Sequence, residues 1–177
     1  MLTTTPTWLT PTEALTRGFV FADNSVATTT PIEEVLQRQG FRIGDMQLMV
    51  RYEDGSELTE LPPVYRLPNA PPWFWGMVNL HGTLVPVFDL CEFFGMERNS
   101  DTKRMLLVLG HETQLAGVVI DGLPQRLRPH RQDRLNDAAI PAVLSDCVEH
   151  CYRVGEQDWL DFRYAVLFER LAAELTQ

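Results

Sequence analysis

The sequence predicts an all-β fold with a few short helices, arranged as two small barrel lobes and ending in a C-terminal helix. Three observations carry this. Apolar runs are short and are separated by Gly, Pro, Asn and Asp, the residues that turns between strands require. Two similar apolar hairpin blocks follow one another, Met77 to Phe88 and Arg104 to Ile120. Helical periodicity is confined to brief stretches, and no repeat of solenoid length occurs. Many short strands with few helices fit closed or nearly closed sheets.

The first 29 residues hold nine Thr and no sustained periodicity, so residues 1–40 read as a flexible tail that Trp8 and Phe19-Val20-Phe21 could dock. A short helix is expected over 31–39. Thr30 supplies the N-cap, Pro31 the first helical position and Glu33 the reciprocal cap, with Ile32, Val35 and Leu36 as an apolar stripe and Gly40 as the stop. The folded domain then spans 41–177. Phe41 to Ile43 and Gln47 to Tyr52 read as strands, with Gly44-Asp45 and Glu53-Asp54-Gly55 as turns. Leu61 to Pro72 is too rich in Pro for helix or sheet interior and is expected to cross the surface, anchored by Trp73, Phe74 and Trp75.

Met77 to Leu80 and Thr83 to Phe88 are separated by His81-Gly82 alone, the spacing of a two-residue hairpin. Gly82 adopts positive φ cheaply, and His is among the other residue types that tolerate it. Thr83 to Phe88 is apolar on both faces, as a strand buried on both sides would be, and Pro86 marks an edge or bulge. Leu90 to Phe94 gives one helical turn closed by Gly95, and the polar loop 97–102 is the expected division between the lobes. Arg104 to Leu109, Thr113 to Ile120, Leu123 to Arg128, Val148 to Val154 and Trp159 to Phe162 complete the strands. Gly117 implies a bulge or a close backbone approach. Tyr164 to Leu175 carries Val166, Leu167, Leu171 and Leu175 at helical spacing, a terminal amphipathic helix.

Composition removes several function classes. The formal charge of −9, from 24 acidic and 15 basic residues, opposes phosphate neutralisation, so no nucleic-acid partner is expected. Fourteen of the basic residues are Arg, a side chain suited to forked hydrogen bonds and stacking in protein contacts. Three cysteines are an odd number for a disulfide framework, which makes the cytoplasm the expected compartment. No apolar run reaches the roughly 20 residues of a membrane span, and direct membrane insertion is not expected.

Candidate chemistry is sparse. Cys147-x-x-His150-Cys151 offers zinc-ligand types but no second pair at a suitable spacing, so buried thiols are expected and no metal. Cys91 lacks a Cys/His signature. The acidic pairs Glu33-Glu34 and Glu53-Asp54 stand at a helix start and in a turn, where carboxylates are favoured locally. Phosphate-cradling, nucleophile-elbow and zincin motifs do not occur, so the expectation is no enzyme and no cofactor. What remains is a basic run in an acidic chain, Arg126, Arg128, His130, Arg131 and Arg134: either a solvated turn or a docking patch for an acidic surface.

The run VYRLPNAPPWFWGMVNLHGTLVPVFDL, Val64 to Leu90, resembles the central signature of the CheW-like coupling proteins: a proline-containing crossing, a G-x-x-N-L-x-G hairpin and then P-V-x-D-L. Gly117-Val118-Val119-Ile120-Asp121 is similar to the family's later G-x-x-V-D segment, and the likeness extends over roughly 41–175. It implies two SH3-like five-stranded barrels, no active site, and an adaptor that joins the cytoplasmic tips of chemoreceptors to a CheA-type histidine kinase beside membrane receptor arrays. Gly76, Asn79, His81, Gly82 and Gly117 match positions that the resemblance links to coupling, and Arg126 and Arg128 join them as candidate partner contacts. The family usually carries Arg at the position of His81; imidazole is shorter and titrates near neutral pH, which departs from a fixed ion pair. The tail and the SELTELPPVYRLPN wording resemble the pilus-associated, PilI-like branch, pointing to type IV pilus and twitching motility as well as chemotaxis. Two other roles are a weaker fit: an anchoring module of a response-modulating protein, for which the tail is too short to hold a receiver domain of about 100 residues, and a small β-barrel enzyme.

Overall fold

A computed structural model describes residues 35–98, 101–111 and 114–176. Among these residues, eleven strands form two sheets. The strands are β1 (Arg38–Ile43), β2 (Met46–Arg51), β3 (Gly55–Glu60), β4 (Phe74–Leu80), β5 (Thr83–Phe88), β6 (Arg104–Leu109), β7 (Ala116–Asp121), β8 (Gln125–Leu127), β9 (Arg134–Leu135), β10 (Val148–Val154) and β11 (Gln157–Phe162). Helix α1 is the single turn Leu90–Phe93 and α2 is Tyr164–Leu175. One sheet has the order β8-β1-β2-β11-β10-β9 and the other β3-β6-β7-β5-β4. Within each, one parallel pairing joins otherwise antiparallel hairpins: β2 with β11, and β5 with β7. No helix among the described residues is long and apolar enough to cross a membrane.

Strand alternation explains how two lobes share one core. Along β6, Leu106 and Val108 enter the interior of the five-stranded lobe with Val78, Val85, Val87 and Val119. Their neighbours Met105, Leu107 and Leu109 point the other way, into a larger core that also takes Phe41, Ile43, Leu48 and Val50 from the six-stranded sheet. On β2, Met49 turns instead to its own lobe interior, with Leu127, Tyr152 and Trp159. A period of two with both faces apolar therefore means that each face has its own core. Helix α2 closes the shared core with Leu167 and Leu171, both fully buried. Its Phe168 lies 5.8 Å from Phe88, and Trp73 sits edge-on to Phe93 at 5.2 Å, so the aromatics after the proline-rich crossing do anchor it.

Two expectations are corrected. The lobes do not divide near 97–102, because the chain leaves the first sheet after β2, builds the whole second sheet as β3 to β7, and returns at β8. The loop at 97–102 lies inside that second passage. The helix expected over 31–39 is not continued by its described residues: Val35 bridges His130, and Arg38, Gln39 and Gly40 pair with Arg51, Val50 and Met49. Residues 31–34, and the rest of the tail, lie outside the described residues. Gly40 is no helix stop; a Cβ there would stand 2.5 Å from Leu127 Cδ1 and 2.6 Å from Trp159 Cζ3, so it is the strand position over which those side chains pack. The two sheets of the expected two-lobed β fold hold six and five strands, the six including the two-residue β9.

Candidate functional site

The β4–β5 turn is built as the residue spacing predicts. Leu80 pairs with Thr83, and both turn residues have positive φ, +51° at His81 and +89° at Gly82. That is the backbone of a two-residue turn matched to strand twist. Asn79 locks it from below, its Oδ1 accepting a hydrogen bond from the Gly82 N–H at 2.8 Å. Asn79, His81, Gly82 and Thr83 are all exposed, and Leu84, opposite Asn79, leaves 62% of its surface in solvent. An apolar side chain and a rigid backbone corner thus share one protruding tip.

His81 reaches away from the hairpin. Its Nε2 lies 3.2 Å from Glu57 Oε1 on β3. Since β3 and β4 are opposite edges of the five-stranded sheet, this contact is made across the curl of the sheet. With the imidazole 83% and the carboxylate 35% exposed, the pair orients the ring more than it stabilises the fold.

The remaining glycines occupy different surroundings. Gly76 is buried at an irregularity of β4, with φ +127°, and a Cβ there would lie 2.3 Å from the Tyr65 carbonyl oxygen. Tyr65 is held in place by two hydrogen bonds with Met77, at 2.8 and 2.9 Å, so Gly76 is where the proline-rich crossing passes against β4. Gly117 is buried inside the five-stranded lobe, where a Cβ would meet Leu106 Cδ1 at 2.7 Å and Val87 Cγ2 at 3.4 Å. It is a close approach in an unbulged strand. Neither offers a surface to a partner directly; both shape the sheet that carries the tip.

Arg126 and Arg128 lie far along the chain on β8 and its exit, in the other lobe, and both are exposed. The structure therefore does not bring all seven candidate residues together. Asn79, His81 and Gly82 form one exposed feature, Gly76 and Gly117 are internal supports, and Arg126 and Arg128 belong to a second surface.

Cys91, Cys147 and Cys151 are free and buried, and burial pushes each thiol above its ordinary value. No group of three or more His, Cys, Asp or Glu among the described residues could hold a metal ion. Asp54, expected in a turn, is 4% exposed and takes two hydrogen bonds from Arg51, at 2.9 and 3.1 Å.

One constellation escaped the sequence reading. Arg98 is 10% exposed and forks between Asp89, at 2.6 Å, and Asp121, at 3.2 Å. Asp89 also caps α1 through the Cys91 and Glu92 N–H groups, and Asp121 accepts the Gly44 N–H at 2.6 Å. Gly44 is the β1–β2 turn, so the cluster ties the six-stranded lobe to the ends of β5 and β7. The acids of P-V-x-D-L and G-x-x-V-D were the available signal; their shared Arg was not foreseeable from spacing.

Comparison with known proteins gives a consistent result. Chemotaxis protein CheW of Helicobacter pylori is 33% identical over 129 residues, 71% of this chain and 75% of that protein. Protein PilI of Pseudomonas aeruginosa is 34% identical over 83 residues, spanning 46% of this chain and 47% of PilI. The crystal structure of scaffolding protein TtCheW from Thermoanaerobacter tengcongensis superposes with a TM-score of 0.64 at 17% identity, over 73% of this chain and 89% of that one, a likeness of fold. The model of the CheW-like domain matches residues 38–159, from the first residue of β1 to the middle of β11, and the chain belongs to the CheW-like family.

Proposed function

We propose that this chain is a non-catalytic adaptor of a bacterial chemosensory pathway that couples the cytoplasmic tips of chemoreceptors to a CheA-type histidine kinase, with chemotaxis or type IV pilus motility as its output. The observation that carries the reading is the hairpin tip. Its backbone is fixed by Asn79 and by two positive-φ residues, and it presents His81 and Leu84 to solvent. A rigid corner with one apolar and one polar contact group loses little conformational freedom on docking and suits recognition of a protein surface. Relatives named chemotaxis protein CheW and PilI support the pathway class. The adaptor acts in the cytoplasm, beside receptor arrays.

The test uses exposed residues, because altering Gly76 would disturb the crossing and confuse folding with binding. The purified chain, with Leu84→Asp or His81→Glu, is mixed with a CheA-type kinase and a chemoreceptor tip fragment from the same cells. Capture of at least one of the two partners weakens about tenfold or more, as loss of a central contact does, while thermal melting stays within a few degrees of the parent. Undiminished capture of both partners by both folded variants would remove the tip from the coupling surface.

A further inference from the structure

We propose that the seam of the six-stranded lobe is a second docking surface, specific for a short acidic segment of a protein partner. Strands β8 and β9 are the two edges of that sheet, yet only residues 128–133 connect them. The link therefore crosses the open side of the sheet and closes it. It is pinned by the Val35–His130 bridge and by the Leu36 N–H donating to the Pro129 carbonyl at 2.9 Å. This closure concentrates positive charge in a chain of net charge −9.

The arginines are arranged, not scattered. On β8, Leu127 points inward at 6% exposure, so Arg126 and Arg128, one residue to either side, project together from the opposite face. Arg126 is held in advance: its guanidinium lies 4.3 Å over the Tyr52 ring and donates to Tyr52 Oη at 2.6 Å. A stacked, planar guanidinium loses less freedom when it grips a carboxylate. Past the link, Arg131 and Arg134 line a cleft of about 360 Å³ together with Arg38, His150, Glu149 and Asp161. Arg38 is committed to Asp161 by two hydrogen bonds, at 3.0 and 2.9 Å, and Glu149 is 3.9 Å from His150. Arg128 and Arg134 make no ion pair with the described residues. A carboxylate on a docking segment would meet Arg128 and Arg134 uncompensated.

The extent of the strip selects the occupant. Charges interact over a screening length of about 8–10 Å at physiological salt. A short acidic peptide can keep its charge on Arg126, Arg128 and Arg134, while Asp161 of the cleft is already matched by Arg38. A membrane or a nucleic acid carries charge over a much larger face and would also meet the acidic remainder of the chain. A bridging adaptor needs two surfaces that do not overlap, and the seam lies on the sheet that does not carry the hairpin tip. Taking the occupant as a protein rests on the adaptor reading; the positive strip does not.

The experiment is a titration of the isotopically labelled full chain with a short polyglutamate peptide, followed by backbone resonances. Saturable shifts are expected at residues 125–135 and at the cleft, with affinity falling about tenfold between about 0.05 and 0.3 M salt. Arg128→Glu, which removes no hydrogen bond or ion pair among the described residues, should weaken binding at least about fivefold, and Arg126→Glu with Arg134→Glu should abolish it. Shifts located elsewhere, undiminished binding by folded Arg128→Glu, or equal response to inorganic phosphate or to phosphatidylserine vesicles would each overturn the proposal. Neither kinase nor receptor is present, so a negative titration leaves the hairpin-tip reading standing, and intact coupling by tip variants leaves the seam untouched.

Discussion

Replacing Gly76 by Ala and, separately, Gly82 by Ala should separate a supporting glycine from a surface one, although both have positive φ. At Gly82 an added Cβ meets no atom within 4 Å, so the cost is backbone strain alone, about 1–2 kcal/mol. At Gly76 comparable strain is joined by collision with the Tyr65 carbonyl, 2.3 Å from its oxygen and 2.8 Å from its carbon. Those are backbone atoms and cannot rotate away. Relief requires the crossing to lift off β4, breaking the two Tyr65–Met77 hydrogen bonds, which contribute about 1 kcal/mol each. The sum for Gly76→Ala is about 3–4 kcal/mol, some 2 kcal/mol more than for Gly82→Ala. Urea unfolding resolves this, since slopes of about 1–3 kcal/mol/M turn that difference into a midpoint separation of roughly 0.7–2 M. Coincident midpoints would refute the packing role given to Gly76.

Arg98→Met should destabilise the domain by about 3–5 kcal/mol in the same assay, because it leaves the Asp89 and Asp121 carboxylates buried without their shared cation; a loss below about 1 kcal/mol would contradict the clamp. Arg98→Lys should recover only part of the loss, since an ammonium cannot fork to both acids as a guanidinium does. The three cysteines should resist iodoacetamide at pH 8 in the folded chain and react at once in denaturant, as burial raises their thiol pKa values; rapid native labelling of Cys147 or Cys151 would refute their placement. The sign for stability follows from the same shift: the folded chain favours the protonated thiols, a contribution complete below their ordinary value of 9.0 and lost as pH rises above it, so stability should fall from about pH 9 upward.

The parts of the fold that were legible are those whose signals are local. His81-Gly82 between two apolar runs specified a hairpin, and Arg104–Leu109, Val148–Val154 and Tyr164–Leu175 have the bounds their patterns predict. β3 was not legible: Gly55-Ser-Glu-Leu-Thr-Glu60 has Leu58 as its one large apolar residue, and it is a strand because Leu107 and Val108 of β6 pair with it. The capping signals at 30–33 lie outside the described residues, and what is seen of the expected helix ends in strand, because Arg38–Gly40 pair with both β2 and β8. The lobe boundary failed for a topological reason, since polarity at 97–102 marks a loop without saying which sheet the next strand joins. At the site, the turn geometry of His81 and Gly82 was readable, whereas the Asn79 hydrogen bond that locks it was not, and the buried surroundings of Gly76 and Gly117 come from Tyr65 and Leu106, residues brought near only by the fold.

The most direct test of the coupling role is assembly of a ternary complex from purified components. Receptor tip fragments, a CheA-type kinase and this chain should co-sediment as one species. Omitting the chain should leave receptor and kinase largely apart, and Leu84→Asp should lower the yield severalfold without unfolding the protein. A receptor–kinase complex that forms equally well without this chain would contradict the account.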